Sequence, residues 1–189
     1  MEKRYFFSFF IYLLLSFTAT AQERSLQIGG KLINELTFYN GFAPGLGGQV
    51  VYRISKHGGI ESGLNYQNRY ISFYTIVQYG SISNTYFTRI AEHWIQLPIY
   101  YRYDSKAINF TAGPTMNYFI GWNTKYKSDG VTVNDYNRNA VSVAGSASIS
   151  RSIYLSGEVI LEPELRFNYI FTDADGGLAL NIALRKKLF

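Results

Sequence analysis

Two histidines are the only imidazoles in this 189-residue chain, so acid–base chemistry near neutral pH has few candidates. His57 stands in Ser55-Lys56-His57-Gly58-Gly59, a tight-turn composition in which a solvated turn residue is the simplest reading. His93 precedes Trp94 in the outer half of an alternating segment. An interfacial imidazole beside a serine could hydrolyse an acyl ester, which makes a lipid-modifying enzyme the principal catalytic alternative. No serine motif singles out a nucleophile, so His93 reads as a structural interfacial residue.

The acidic residues offer a second chemistry. Glu158, Glu162 and Glu164 fall on one face at period two, a spacing that could hold a metal or divide acid and base roles. Enough Lys and Arg share that parity for ion pairing to be the expectation instead. Asp173-Ala174-Asp175-Gly176-Gly177 resembles half of a calcium loop but lacks the later Glu, so it reads as an exposed hairpin turn. No glycine-rich loop joins a strand to a helix as phosphate binding requires. Catalytic, cofactor-binding and metal-binding residues are therefore all assigned as none.

The elements that must position these side chains are strands. His93-Trp94-Ile95-Gln96-Leu97-Pro98-Ile99-Tyr100-Tyr101-Arg102-Tyr103 places Ile95, Leu97, Ile99, Tyr101 and Tyr103 on one face. The opposite face carries Gln96, Pro98, Tyr100 and Arg102. That is a strand with one oily side. Eight such segments are expected, over Leu26–Phe38, Gly45–Ser55, Gly58–Phe73, Tyr86–Tyr103, Ala107–Asn123, Ala140–Ser150, Ile153–Phe171 and Gly177–Phe189. Short turns at Ser55–Gly58, Asp104–Lys106 and Arg151–Ser152 alternate with longer connections, notably Tyr74–Thr85 and Thr124–Asn139. Short turns at one end and long loops at the other mark membrane barrels.

Alternation alone cannot say which face points inward. The polar faces carry Gly29, Gly63, Gly113, Ala144, Ser146, Ser148, Ala179 and Ala183, while the apolar faces are rich in bulky aromatics. An eight-stranded barrel has room inside for the first set and little for the second. Phe38, Tyr70, Trp122, Tyr169 and Phe171 near one end, with Tyr52, Tyr101 and Tyr103 near the other, suit two interfacial belts. Inward charges then pair: Glu35, Glu61, Glu158, Glu162 and Glu164 against Lys31, Arg53, Arg69, Arg102, Arg166 and Arg185. This is expected to plug the lumen with ion pairs. Arg89 and His93 share the outward parity, which requires a bulge or a position above the membrane. Pro98, Pro114 and Pro163 lie inside strands, where each removes a ladder donor.

Export fits this reading. Lys3 and Arg4, the apolar run Tyr5–Phe17 and Ala19-Thr20-Ala21 form the n-, h- and c-regions of a signal peptide over residues 1–21, leaving 22–189 as the barrel domain. The apolar run is shorter than the roughly 20 residues of a membrane helix. The absence of Cys excludes a disulfide scaffold, a thiolate metal site and a lipidated N-terminal cysteine. The formal charge of +5 comes without a basic cluster or stacking motif in the sequence, so no nucleic-acid partner is expected.

"WIQLPIYYRY" with "INFTAGPTMNYFIG", "GGQVVYRISKHGGIESGLNYQNR" and "LEPELRFNYIFTD" resemble, in order, hairpins and the penultimate strand of the PorT-like outer-membrane β-barrel family. The resemblance covers most of the mature chain. It implies a porin-like barrel in the outer membrane, and for some members a link to protein secretion. Phe189 resembles the C-terminal aromatic recognised by the barrel-assembly machinery, although its parity is opposite to Leu178–Leu184. The expectation is an all-β, eight-stranded antiparallel up-and-down transmembrane β-barrel without cofactor. Its expected partners are outer-membrane lipid, the barrel-assembly machinery and an envelope or secretion protein. A narrow solute pore is a further alternative.

Overall fold

A computed structural model describes residues 25–38, 41–79, 82–128, 136 and 138–189. The signal peptide assigned to residues 1–21 lies outside them. The strands are β1 (Ser25–Thr37), β2 (Gly41–Arg53), β3 (Gly58–Tyr79), β4 (Ile82–Tyr103), β5 (Asn109–Lys127), β6 (Val141–Ser150), a two-residue stub β7 (Ile153–Tyr154), β8 (Val159–Ile170) and β9 (Asp175–Lys187). Every pairing is antiparallel. Neighbours pair in chain order from β1 to β6, β6 pairs with β8, and β8 with β9. Pairing of β1 with β9, from Gln27↔Lys187 to Thr37↔Gly177, closes the ring. Eight strands thus form a closed barrel among the described residues, with β7 a stub on the edge of β8.

The period-two pattern orients the wall as the side-chain volumes require. Leu32, Leu36, Leu46, Leu64, Leu180 and Leu184 are exposed, whereas Lys31, Glu61, Arg102, Glu162, Arg166 and Arg185 are buried. The barrel is oily outside and charged inside. Its lumen-facing glycines let strands approach closely. A Cβ on Gly45 would meet the Tyr66 carbonyl oxygen at 2.6 Å, and one on Gly63 would collide with the Gly48 carbonyl. Gly63→Val is therefore expected to destabilise the barrel by about 1–3 kcal/mol. The check is a lower urea midpoint for loss of the compact, heat-modifiable band.

The prolines sit where the ladder is already interrupted. Pairing of β3 with β4 skips from Ser62↔Ile99 to Asn65↔Gln96, beside Pro98, while Ser62 Oγ donates to the Pro98 carbonyl at 2.8 Å. Pairing of β4 with β5 skips between Pro98↔Thr115 and Tyr101↔Ala112, beside Pro114. The β6–β8 ladder stops at Ser150↔Glu164, next to Pro163. At these gaps a missing N–H leaves no carbonyl stranded within a continuous ladder.

Four departures from the expected strand spans exceed two residues. β2 starts at Gly41 rather than Gly45, because Phe42-Ala43-Pro44 pairs with β1 alone and Pro44 needs no donor toward β3. Gly41 has φ 81°, a left-handed turn geometry natural to glycine. The expected loop Tyr74–Thr85 is mostly a hairpin, with β3 and β4 paired through Tyr79↔Ile82. From Asn68 onward β3 has lost its β2 partner, so this hairpin rises as a ribbon beyond the ring. The start of Thr124–Asn139 is likewise strand, to Lys127. Finally, Ile153–Phe171 is not one strand: β7 pairs antiparallel with β8 through Ile153↔Leu161 and Tyr154↔Ile160, so the tight turn is a bend at Leu155–Glu158 and not Arg151–Ser152. The bend carries Glu158 out of the lumen to an exposed position, where it meets Lys186 Nζ at 3.5 Å.

Arg89 and His93 keep outward parity because the bulges lie in β5. Register shifts between Arg89/Ile90 and His93/Trp94 leave Lys125 and Ile120 unpaired, and β4 runs through unbroken.

Candidate functional site: the charged lumen and its outer cap

Each inward side chain is held by a strand whose outward neighbours are apolar, so the lumen network is built residue by residue from the pleat. Lys31 Nζ of β1 reaches Glu61 Oε1 at 3.1 Å and Glu164 Oε2 at 2.9 Å. Arg102 of β4 is the hub. Its Nη1 meets Glu61 Oε2 at 2.9 Å, its Nη2 meets Glu162 Oε2 at 2.6 Å, and its Nε meets Asp104 Oδ1 at 2.7 Å. Arg185 also contacts Glu162 at short range. Arg166 approaches Glu164 and, at 3.5 Å, Glu61. Arg53 joins through Asp104 at 2.8 Å near the short-turn end.

Sharing partners is what makes so many buried charges tolerable. A buried ion is expensive unless paired, and each carboxylate here meets at least two cations. Glu162 additionally accepts from Ser150 Oγ and Ser152 Oγ, each at 3.0 Å. The arc formed by β5 and β6 is uncharged. There Thr111 meets Ser148 at 2.5 Å, Thr115 meets Ser146 at 3.2 Å, and Asn117 donates to Ser142 at 3.3 Å. Arg166 Nη1 donates to Tyr100 Oη at 2.8 Å, and that hydroxyl is 2.6 Å from Thr115 Oγ1, which links the two arcs. Above them a cavity of about 20 Å³ lies among Asn65, Arg69, Gln96, Asn117, Arg166 and Asn181. It has room for about one water.

A second layer closes the end nearer the long hairpin. Gln67 donates to Glu35 at 2.7 Å and accepts from Gln96 at 2.7 Å. Glu35 therefore pairs with an amide rather than with Arg69, which instead lies over the Trp94 ring at 5.1 Å. Trp94 Nε1 donates to Glu92 at 3.0 Å. Glu92 also accepts from the Tyr136 hydroxyl and pairs with Arg138 at 3.1 Å. Arg138 continues to Asp173 at 2.7 Å and stacks on Trp94 at 5.9 Å. Tyr136 and Arg138 are thus tied across the mouth. Burial and the Glu92 carboxylate push the Tyr136 phenol above its usual range, so it remains a donor at neutral pH.

The two histidines lie outside this network. His57 Nδ1 is 2.8 Å from the Asp104 carbonyl oxygen in the short-turn rim. His93 faces outward, its Nδ1 2.6 Å from Tyr66 Oη, which donates to Asn68 Oδ1 at 3.0 Å. Of the acidic row, Glu162 and Glu164 converge in the lumen and Glu158 does not. No cluster of metal-ligating side chains occurs among the described residues. Glu92, Trp94, Tyr136, Arg138 and Asp173 escaped sequence reasoning as a unit, although the even parity of Glu92 and Trp94 with Gln96 marks them as inward.

Fold and wall together define a membrane-spanning β-barrel of the outer-membrane type: a closed ring, an apolar exterior and a charged interior. No family model matches the chain, and no curated protein does. Among solved structures it is similar to Neisserial surface protein A, at 15% identity over 86% of this chain and 96% of that one, with a TM-score of 0.46. It is also similar to outer membrane protein AlkL in lipid bilayers, at 10% identity over 90% and 92%, with a TM-score of 0.47. A third is Ail of Yersinia pestis, at 8% identity over 87% and 97%, with a TM-score of 0.44. These likenesses are remote, and the barrel rests on its own strand pairings.

Proposed function

We propose that this chain is a non-enzymatic barrel of a Gram-negative-type outer membrane. In this reading its lumen is shut to ions, and it acts through the surface at its long-hairpin end. The exchange of faces carries the reading: charged groups are buried along the axis while Leu, Ile and Phe cover the wall. A row of exposed leucines is unfavourable in water and favourable in acyl chains. The network around Arg102 and the single-water cavity support closure. The PorT-like resemblance of the hairpins supports a role beside a secretion or other envelope complex. The bond from His93 to a phenol rather than a serine hydroxyl supports the non-catalytic reading.

The test expresses the full chain with its leader, isolates the outer-membrane fraction and compares boiled with unboiled gel mobility. The purified barrel then goes into a planar bilayer. A heat-dependent shift without discrete current steps is expected. Soluble recovery with no shift overturns the membrane reading, and stepwise conductance overturns the closed lumen.

A further inference from the structure

Cations scattered along the sequence gather at the short-turn end of the barrel. Arg53 at the end of β2, Lys56 and His57 from the β2–β3 turn, Lys106 from the β4–β5 turn, and Ser152 and Tyr154 beyond β6 line one basin of about 350 Å³. Arg53 is paired with Asp104. Lys56, Lys106 and Arg151 have no ion-pair partner among the described residues, and all three are exposed. The acids of this rim, Asp104 and Glu158, are already engaged by Arg53, Arg102 and Lys186.

On the outer wall beside this basin lies an apolar groove of about 440 Å³, lined by Ile108, Ile149, Pro163, Leu165 and Ile182, with Arg151 among its residues. Basin and groove meet through adjacent residues, Ala107 with Ile108 and Arg151 with Ser152. The groove opens where the β6–β8 ladder stops at Ser150↔Glu164, beside Pro163; one bond from Arg151 N to the Pro163 carbonyl at 3.2 Å bridges the gap before pairing resumes at Ile153↔Leu161 and Tyr154↔Ile160. An oily slot therefore ends beneath unpaired cations.

We propose that the short-turn end binds an anionic phospholipid, its phosphate on Lys56, Lys106 and Arg151 and one acyl chain in the groove. Charge complementarity and continuity with the lipid-facing wall select this occupant. A zwitterionic lipid brings its own cation to the same rim and gains less. The proposal rests on the membrane reading above.

The test reconstitutes the purified full chain into vesicles of roughly equal phosphatidylcholine and phosphatidylglycerol, then measures retained lipid by native mass spectrometry after mild detergent extraction. Each cation near an anionic headgroup is worth a factor of about five, so wild type is expected to retain phosphatidylglycerol over phosphatidylcholine by about tenfold after screening. The K56A/K106A/R151A variant is expected to fall to the vesicle ratio. The K125A/K127A variant, altered at the opposite end, is expected to match wild type. An unchanged preference in the triple variant overturns the proposal, as does the absence of preference in a wild-type barrel that still shows its heat shift. Loss of insertion and of the shift would instead bring down the membrane reading, and this site with it.

Discussion

Leu180→Arg is expected to lower barrel stability in phospholipid vesicles by about 2–4 kcal/mol, read as a drop in the urea midpoint of the heat-modifiable band. Leu180 sits in the middle of β9, opposite Leu165 on the outward face, and is 67% exposed. In water such a position tolerates arginine, with effects within about 0.5 kcal/mol. In lipid the guanidinium has no water and no partner, because the inward cations and carboxylates lie on the other side of the pleat. Thr172→Arg, on an exposed turn at the far end of β8, provides the comparison and is expected to be near neutral. A stable, fully folded Leu180→Arg barrel in vesicles would mean that this face does not meet acyl chains.

Glu162→Ala should be still more damaging, by about 3–5 kcal/mol, because it strands buried cations rather than merely removing a contact. Arg185 has Glu162 as its one ion-pair partner among the described residues. Arg102 would keep Glu61 and Asp104. The asymmetry allows a double-mutant cycle. Glu162→Ala combined with Arg185→Met is expected to recover part of the loss, whereas adding Lys125→Ala at the other end is expected to be additive. Urea midpoints of wild type, the three single variants and the two double variants check this, and a Glu162→Ala/Arg185→Met loss equal to the sum of its two single losses would show that Arg185 does not depend on Glu162.

The ring itself was legible because each strand keeps one parity through the apolar band. Leu178, Leu180, Ile182 and Leu184 against Ala179, Asn181, Ala183 and Arg185 could be read straight from the chain, and their exposure agrees. Legibility ended where the two faces meet similar surroundings. In the ribbon beyond Asn68, Phe73 and Tyr74 on adjacent, opposite-facing positions are both exposed, so alternation carries no hydrophobic signal and the segment resembles a loop. Glu158 shares the even parity of Glu162 and Glu164 but was misplaced because it lies in the turn Leu155–Glu158, before β8 begins at Val159. The lumen charges were legible as a set, but not their partners: Glu35 meets the Gln67 amide, and Arg69 lies over the Trp94 ring. The cap on Glu92 joins Tyr136 and Arg138 to β4 across a long separation, and no local pattern encodes such a contact.

The pairing of β1 with β9 has a consequence for biogenesis. Gln27 meets Lys187 and Thr37 meets Gly177, so the earliest strand of the chain takes the latest one as its neighbour. Until those last residues arrive, the growing sheet has two raw borders whose amides and carbonyls cannot be left in hydrocarbon. Stepwise threading into the bilayer, one strand after another, is therefore disfavoured. A truncation that removes β9 is expected to forfeit the whole insertion rather than one stave of it.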